Sequence, residues 1–315
     1  MELLEKSEPV LIFTAIILGL LFSDMPFLSS NSSYLITIFL FLMLYALFLE
    51  VPLGDIKKGF SNHKFSYRAL IINFLWTPFF GYFIGNIFLN HNIDLLIGFF
   101  MLILTPCTDW YLLFTKIAKG NLPLSLSILP ANLILQLILL PVYLLLFFSS
   151  SNSINIIDLS ESILIFIILP FICASITKFI LKNRSQLKDK ITNTFTSFQT
   201  IFLAIAIFGI FNSEGKVLFS NINSIFYVLV PLIIFFIVNF LLVYVVSKKS
   251  NFSYEDYASL TLTTLARNSP LALAIATRSF PNNELIIIAL VIGPLIELPV
   301  LYIVTKILLH IRKTY

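Results

Sequence analysis

Charge is what this chain of 315 residues has least of. Asp, Glu, Lys and Arg together make up 11% of it, against about 25% in an ordinary soluble domain. So few charges cannot clothe a globule of this size, which excludes a cytosolic enzyme, a nucleic-acid binder and a disordered protein. Cysteine is nearly absent. Cys107 and Cys173 both lie in apolar runs, so there is no disulfide framework and no Cys/His cluster to bind a metal. Histidine is equally scarce. His63, His91 and His310 all fall at the ends of apolar runs, leaving no nucleophile–base or metal constellation for an intramembrane enzyme. There is no GxxxxGK[ST] loop and hence no sign of ATP hydrolysis or of a cofactor. The start, Met1 to Lys6, is acidic and lacks the basic beginning and small-residue cleavage site of a signal peptide. The first apolar run is therefore expected to be kept as a helix.

What is abundant is hydrocarbon: 58% of the residues are apolar and 33 are Phe. A helix needs about 20 apolar residues to cross the ~30 Å hydrocarbon layer. Ten stretches meet that demand: 9–27, 33–53, 68–90, 94–118, 122–149, 161–181, 195–213, 223–247, 256–279 and 284–309. Within lipid the backbone must bond inside its own segment, so these are expected to be helices. The run Leu133 to Leu140 has none of the alternation of a barrel strand. The fold class expected is an all-α, multi-pass membrane protein of ten transmembrane helices. With the N-terminus inside, seventeen of the 20 Lys and Arg fall on the inner side; only Lys216 and Arg278 lie outside, and Arg267 is left within a span. That bias predicts an inner (plasma) membrane protein with both termini in the cytoplasm.

The polar linker Ser149–Ser153 divides the chain into residues 1–150 and 151–315, each with five helices. Five is odd, so the two halves enter from opposite faces, the parity of an inverted repeat. The fourth helix of each half holds a polar, proline-bearing patch. The first is Thr105-Pro106-Cys107-Thr108-Asp109-Trp110 and the second runs from Thr263 through Arg267-Asn268-Ser269 to Pro270. Interrupted helices at matching places in two halves are the best sequence pointer to a transporter site. Pro106, Pro270 and, in the tenth helix, Pro294 are read as the breaks.

Asp109 and Arg267 are the sharpest features, since a charge at a helix centre costs about 2.5–3.5 kcal/mol on insertion scales. They are read either as an ion pair locking the helices or as a working pair, with Arg267 holding an anion and Asp109 carrying a coupling proton. Cys107 is either a packed small residue or a soft ligand suited to trivalent arsenic or antimony. Asn132 and Gln136 stand at i, i+4 on one helix face, and Asn73 and Thr77 repeat that spacing in the third helix. Thr108, Asn268 and Ser269 line the two breaks. Glu297 is read either as a proton site or as a partner for a freed backbone amide.

These residues carry a resemblance. Pro106-Cys107, Lys119-Gly120, Asn132 and Gln136 resemble, without a gap, the fourth and fifth helices of arsenite-efflux permeases in the bile acid:sodium symporter superfamily. Asn268 to Ala276 and Val291 to Val300 look like that family's ninth and tenth helices, and Asn73 with Pro78 like its third. The resemblance implies a panel domain (helices 1, 2, 6 and 7) and a core domain (helices 3–5 and 8–10). It also implies a crossing of helices 4 and 9 at their breaks, and alternating access. It implies a secondary transporter whose partners are the bilayer, a small-molecule or anionic substrate and a coupling ion. The lead expectation is proton-linked efflux of arsenite or antimonite through the equivalent of Cys107. The alternative is ion-coupled symport of an organic anion. Two departures stand out. The arsenite branch usually has a glutamate where this chain has Pro270, and the sodium-coupled branch has a glutamate and a glutamine where Thr263 and Arg267 stand. A fixed cation beside a sodium site repels the ion, so a proton is favoured over sodium.

Overall fold

The computed structural model describes residues 2–23, 25–50, 62–108, 110–149, 156–220, 222–280, 283–313 and 315. Its described residues are mostly helical and contain no strand, only one isolated bridge. The helices are α1 (Glu2–Leu21), α2 (Pro26–Glu50), α3 (His63–Leu89), α4 (Ile93–Leu104), α5 (Trp110–Ile117) and α6 (Leu122–Phe148). The chain continues as α7 (Ile156–Ile163, then Leu164–Ile168 and Leu169–Ile180), α8 (Ser185–Ser220), α9 (Ile222–Lys249), α10 (Tyr254–Leu265), α11 (Ser269–Ser279) and α12 (Glu284–Ile311). Helix occupies most of the described residues of each stretch chosen by hydropathy; residues 24, 51–53 and 109 of those stretches lie outside the described ones. Among the described residues, six helices are long and apolar enough by themselves to cross a membrane: α3, α6, α9 and α12, with Ile157–Ile180 of α7 and Ser185–Ser213 of α8.

Local chemistry sets most boundaries. Asn62, Asn92, Asn121 and Ser253 each turn a side-chain oxygen onto a backbone N–H of the first turn of α3, α4, α6 and α10, satisfying donors that the helix cannot. Three expectations need correcting. The first stretch runs through Pro26, but a proline starts a helix readily and continues one poorly, so α1 ends at Leu21 and Pro26 opens α2. The apolar run at 195–213 is only the middle of α8, whose 36 residues take in Lys188 and Lys190; those side chains favour helix as readily as loop. Pro294 is not a break. It lies inside the continuous α12, as does Pro299, because a proline removes one backbone bond while the neighbouring turns keep theirs.

The chain forms two compact units. The first comprises Met1–Val51, Asn155–Ile222 and Leu273–Glu284. Its close contacts are made by small residues, as membrane helices require. A Cβ on Gly19 of α1 would sit 2.8 Å from the Phe208 carbonyl oxygen of α8, and one on Gly209 would meet Ile36 of α2 at 3.0 Å. Buried polar bonds join the same helices: the Ser32 hydroxyl donates to Asn212 Oδ1 at 2.9 Å, and Asn212 Nδ2 donates to the Phe22 carbonyl at 2.7 Å.

The second unit comprises Pro52–Ile154, Asn223–Ala272 and Leu285–Tyr315. Gly98 of α4 lies against α12, where a Cβ would come 2.6 Å from the Ile286 carbonyl oxygen and 2.7 Å from Ala289 Cβ. Gly81 of α3 meets Ile103 of α4, but through Cδ1, the free end of a side chain. The two glycines should therefore respond differently. Gly98→Ala presses on backbone and should cost about 1–3 kcal/mol of stability, in the range of core overpacking. Gly81→Ala should cost less, since Ile103 can change rotamer. Thermal unfolding of the two purified variants checks the order.

Candidate functional site

The site grows out of two interruptions in the second unit. α4 stops at Leu104 and α5 starts at Trp110; α10 stops at Leu265 and α11 starts at Ser269. Proline explains the first gap. Pro106 has no N–H, and it presses the residue before it into extended backbone, where Thr105 has φ −103° and ψ 98°. Pro270 does not explain the second gap. It stands in the first turn of α11, where a missing N–H costs nothing. The residues that leave the helix are Ala266 to Asn268, with Ala266 extended at φ −67° and ψ 138°. Pro270 is thus corrected from a break to a helix start.

The two extended segments pair with each other. Pro106 and Arg267 form an antiparallel bridge. Cys107 N–H donates to the Ala266 carbonyl at 3.0 Å, and Asn268 N–H donates to the Thr105 carbonyl at 2.6 Å. Arg267 N–H, lying between them, donates to Glu297 Oε1 of α12 at 2.7 Å. Every backbone donor from Ala266 to Asn268, and that of Cys107, thereby has an acceptor, which apolar surroundings demand. Of the two readings of Glu297, the partner of a freed amide is the geometry observed. It reaches that amide because Gly293, four residues earlier on the same face of α12, leaves room. A Cβ there would lie 2.8 Å from Ser269 Cβ and 2.5 Å from Leu102 Cδ1.

Asn268 ties the crossing to the next helix. Its Oδ1 accepts from Leu271 N–H at 3.1 Å, capping α11, and its Nδ2 donates to Thr108 Oγ1 at 3.3 Å. The Thr105 hydroxyl donates to the Asn268 carbonyl at 3.2 Å. Thr108, Cys107 and Ser269 are all buried. Asp109 lies outside the described residues.

Arg267 is 1% exposed and heads the fully buried side chains by volume. Its guanidinium works on carbonyl oxygens. Nη1 donates to Ile103 at 2.9 Å and Nη2 to Thr264, and its Cζ stands 4.9 Å from the centre of the Phe235 ring. Ile103 and Thr264 belong to the last turns of α4 and α10, so one cation serves two helix ends, each carrying roughly half a negative charge.

Beside the crossing lies a cluster of amides. Asn132 and Gln136 share one face of α6 and are both buried, as is Asn73 of α3. Asn73 Nδ2 approaches Asn132 Oδ1 and the Thr263 carbonyl of α10, each at 3.4 Å. Asn73 Oδ1, Asn132 Nδ2, both amide atoms of Gln136 and the Thr263 hydroxyl have no partner in the structure. Sequence spacing missed one feature. α3 opens into a π turn at Ile72–Trp76, which holds Asn73, and π turns frequent functional sites. Tyr143 of α6 donates its hydroxyl to the Phe74 carbonyl inside that turn, and Trp76 Nε1 donates to Asn239 Oδ1 of α9 at 2.8 Å. Asn239, also buried, carries no signal in the sequence because it stands alone in an apolar run.

The capping role of Asn268 is directly testable. Asn268→Ala should lose about 1 kcal/mol or more of stability, the typical value of an N-cap, together with the Thr108 bond. Asn268→Ser, which keeps a capping oxygen, should recover most of the cap's share. Chemical or thermal unfolding of both variants measures the difference.

The chain is 24% identical over 300 residues to an uncharacterized transporter of Synechocystis sp., covering 88% of this chain and 78% of that protein. It is 24% identical over 276 residues to the arsenical-resistance protein Acr3 of Corynebacterium glutamicum, covering 83% and 74%. It is 25% identical over 288 residues to Acr3 of Alkaliphilus metalliredigens, covering 86% and 80%. Residues 37–221 match the model of the sodium bile acid symporter family. With several apolar helices and a relative named as a transporter along most of its length, the chain is an integral, multi-pass membrane protein and belongs to the sodium bile acid symporter family.

Proposed function

We propose that this protein is a secondary transporter that exports a small, neutral, hydroxylated solute of the arsenite or antimonite type, driven by protons. The observation that carries this reading is the amide cluster. Asn73, Asn132, Gln136 and Thr263 offer unpartnered donors and acceptors and no net charge. A buried polar atom without a partner costs about 1–3 kcal/mol, so such a group is better explained by a ligand than by packing. Arsenite at neutral pH is an uncharged trihydroxide, both donor and acceptor, with a soft centre that favours sulfur. Cys107, at the crossing, is the sulfur. Exchange of one arsenic-bound hydroxyl for the thiolate releases water, the thiol proton leaving with the hydroxide, and hydrolysis reverses the step. The two relatives named for arsenical resistance support the same substrate class.

In this reading ten helices cross the membrane as two inverted halves, with both termini cytoplasmic. The unit containing the crossing is the moving core and the other unit the panel. Thr108, Asn268 and Ser269 shape the substrate's surroundings. Asp109 and Glu297 are the candidate carriers of the coupling proton. Ion-coupled symport of an organic anion is the second reading. The one observation in its favour is the unpartnered Nε of Arg267; against it, both Nη groups already hold carbonyl oxygens.

Uptake of arsenite into everted vesicles tests the choice. Cys107→Ser and Gln136→Leu should each lower uptake about tenfold or more, since one hydrogen bond's worth of ~1.4 kcal/mol is a factor of ten. Uptake unchanged in Cys107→Ser, with the protein present in the membrane, would remove the thiol from the mechanism. Transport of an organic anion abolished by Arg267→Gln would move the assignment to the second reading.

A further inference from the structure

The short turn between α7 and α8 carries a charge that the folded chain does not meet. Residues 178–190 hold five bases, Lys178, Lys182, Arg184, Lys188 and Lys190, against the single acid Asp189. The turn is tight: Lys182 N–H donates to the Phe179 carbonyl at 3.2 Å and Arg184 N–H to the Leu181 carbonyl at 3.0 Å. Lys188 N–H donates to the Arg184 carbonyl at 3.0 Å, so these two residues stand one helical turn apart on one face. Lys182, Arg184 and Lys190 are exposed and Lys188 is half-buried. Basic side chains elsewhere have partners. Arg68, Lys248, Lys306 and Arg312 lie over aromatic rings, and Arg278 pairs with Glu161. Among the described residues, Lys182, Arg184, Lys188 and Lys190 make no salt bridge and no contact with an aromatic ring. Their position sharpens the imbalance. They flank the N-terminus of α8, the positive end of a helix of 36 residues that has no acid in its first turn. An anion there would offset charges that otherwise repel one another.

Apolar surface adjoins this charge. Ile172, Ile176 and Ile180 recur every fourth residue along one face of α7, and together with Phe179 they are exposed. The inner side of the turn is braced by α2. The Tyr45 hydroxyl is hydrogen-bonded to Thr177 of α7 at 2.9 Å, and its ring meets Phe195 of α8 edge-on at 5.0 Å. Lys178 Nζ donates to the Phe48 carbonyl in the last turn of α2 at 2.7 Å. A fixed base, exposed cations and an apolar track leading up to them match the two halves of a phospholipid. We infer that the α7–α8 turn binds an anionic glycerophospholipid, with its phosphate at Lys182, Arg184 and Lys188 and an acyl chain along the isoleucine face of α7. A soluble phosphate would use the cations and leave the apolar track idle. The inference requires only that the chain lies in a bilayer, whatever its substrate. Lysines and arginines that merely set the orientation of the chain make a different forecast, because equal charge elsewhere would serve the lipid equally well.

The test uses the full chain purified in a non-ionic detergent and titrated, at constant ionic strength, with phosphatidylglycerol or with phosphatidylcholine of the same acyl chains. Thermal unfolding is read at each lipid level. The wild type should melt higher with phosphatidylglycerol, saturably, as site binding requires, and should ignore phosphatidylcholine. In Lys182→Gln/Arg184→Gln/Lys188→Gln the half-saturating level of phosphatidylglycerol should rise about tenfold or more, since each cation near anionic lipid is worth roughly a factor of five. Lys116→Gln/Lys249→Gln/Lys313→Gln removes the same net charge from exposed positions elsewhere and should respond as the wild type does. Glycerol phosphate, which has the charge without the chains, should produce no shift at the level where the lipid saturates. If the triple variant of the turn does not yield folded protein, Arg184→Gln/Lys188→Gln replaces it. Three results overturn the inference: a wild type that melts alike in both lipids, a turn variant that keeps the wild-type response, and a control variant that loses the response as fully as the turn variant. A full shift with glycerol phosphate also overturns it and assigns the turn to a soluble phosphate. Arsenite flux enters none of these readings, so the substrate proposal stands or falls separately.

Discussion

The pairing of two short extended segments, Thr105–Cys107 with Ala266–Asn268, is the constraint on which the rest of the second unit depends. Breaking a helix at membrane depth exposes backbone groups that lipid cannot satisfy. One broken helix would leave several. Two broken helices laid antiparallel satisfy each other through Cys107 N–H to Ala266 and Asn268 N–H to Thr105, and what they leave over is taken by side chains. Glu297 accepts the one remaining amide of the second break, and Arg267 covers the carbonyls at the ends of α4 and α10. The break is thus a small hydrogen-bonded structure rather than a gap.

That structure dictates its neighbours. Glu297 reaches the crossing because Gly293 lets α12 approach Ser269 and Leu102, and α12 approaches α4 because Gly98 faces Ile286 and Ala289. Bilayer hydrocarbon gives no hydrophobic drive for helices to associate, so close backbone approach and buried hydrogen bonds must do that work. The glycines are where the first operates, and the asparagines and threonines where the second does. Asn73, Asn132 and Gln136 are buried as deeply as the crossing, and four of their side-chain amide atoms have no protein partner.

Arg267 illustrates how position changes the meaning of a charge. Seen as a lone cation in an apolar span, it suggests an anion or a carboxylate partner. Seen in place, its donors meet two helix ends whose partial charges together approach one negative unit. Main-chain dipoles at two helix ends thus offset part of the buried charge.

Much of this was open to inspection in the chain itself. Apolar runs located the helices, because a backbone in lipid has no other way to meet its own hydrogen bonds. Pro106 marked the first break, and the i, i+4 spacing of Asn132 and Gln136 put both amides on one face, because proline chemistry and helix periodicity are local. Local reasoning failed where the outcome depended on distant partners. Pro270 and Pro294 carry the same chemistry as Pro106, yet one opens α11 and the other rides inside α12. What ends α10 is the bridge from Arg267 to Pro106, 161 positions apart in the chain. The π turn at Asn73, the pairing of Trp76 with Asn239 and the carbonyl partners of Arg267 were likewise decided only by tertiary structure. Composition and periodicity determine which segments are helices in lipid, because that is settled bond by bond along the chain. Which buried polar group meets which is settled by packing, and only the folded chain contains that information.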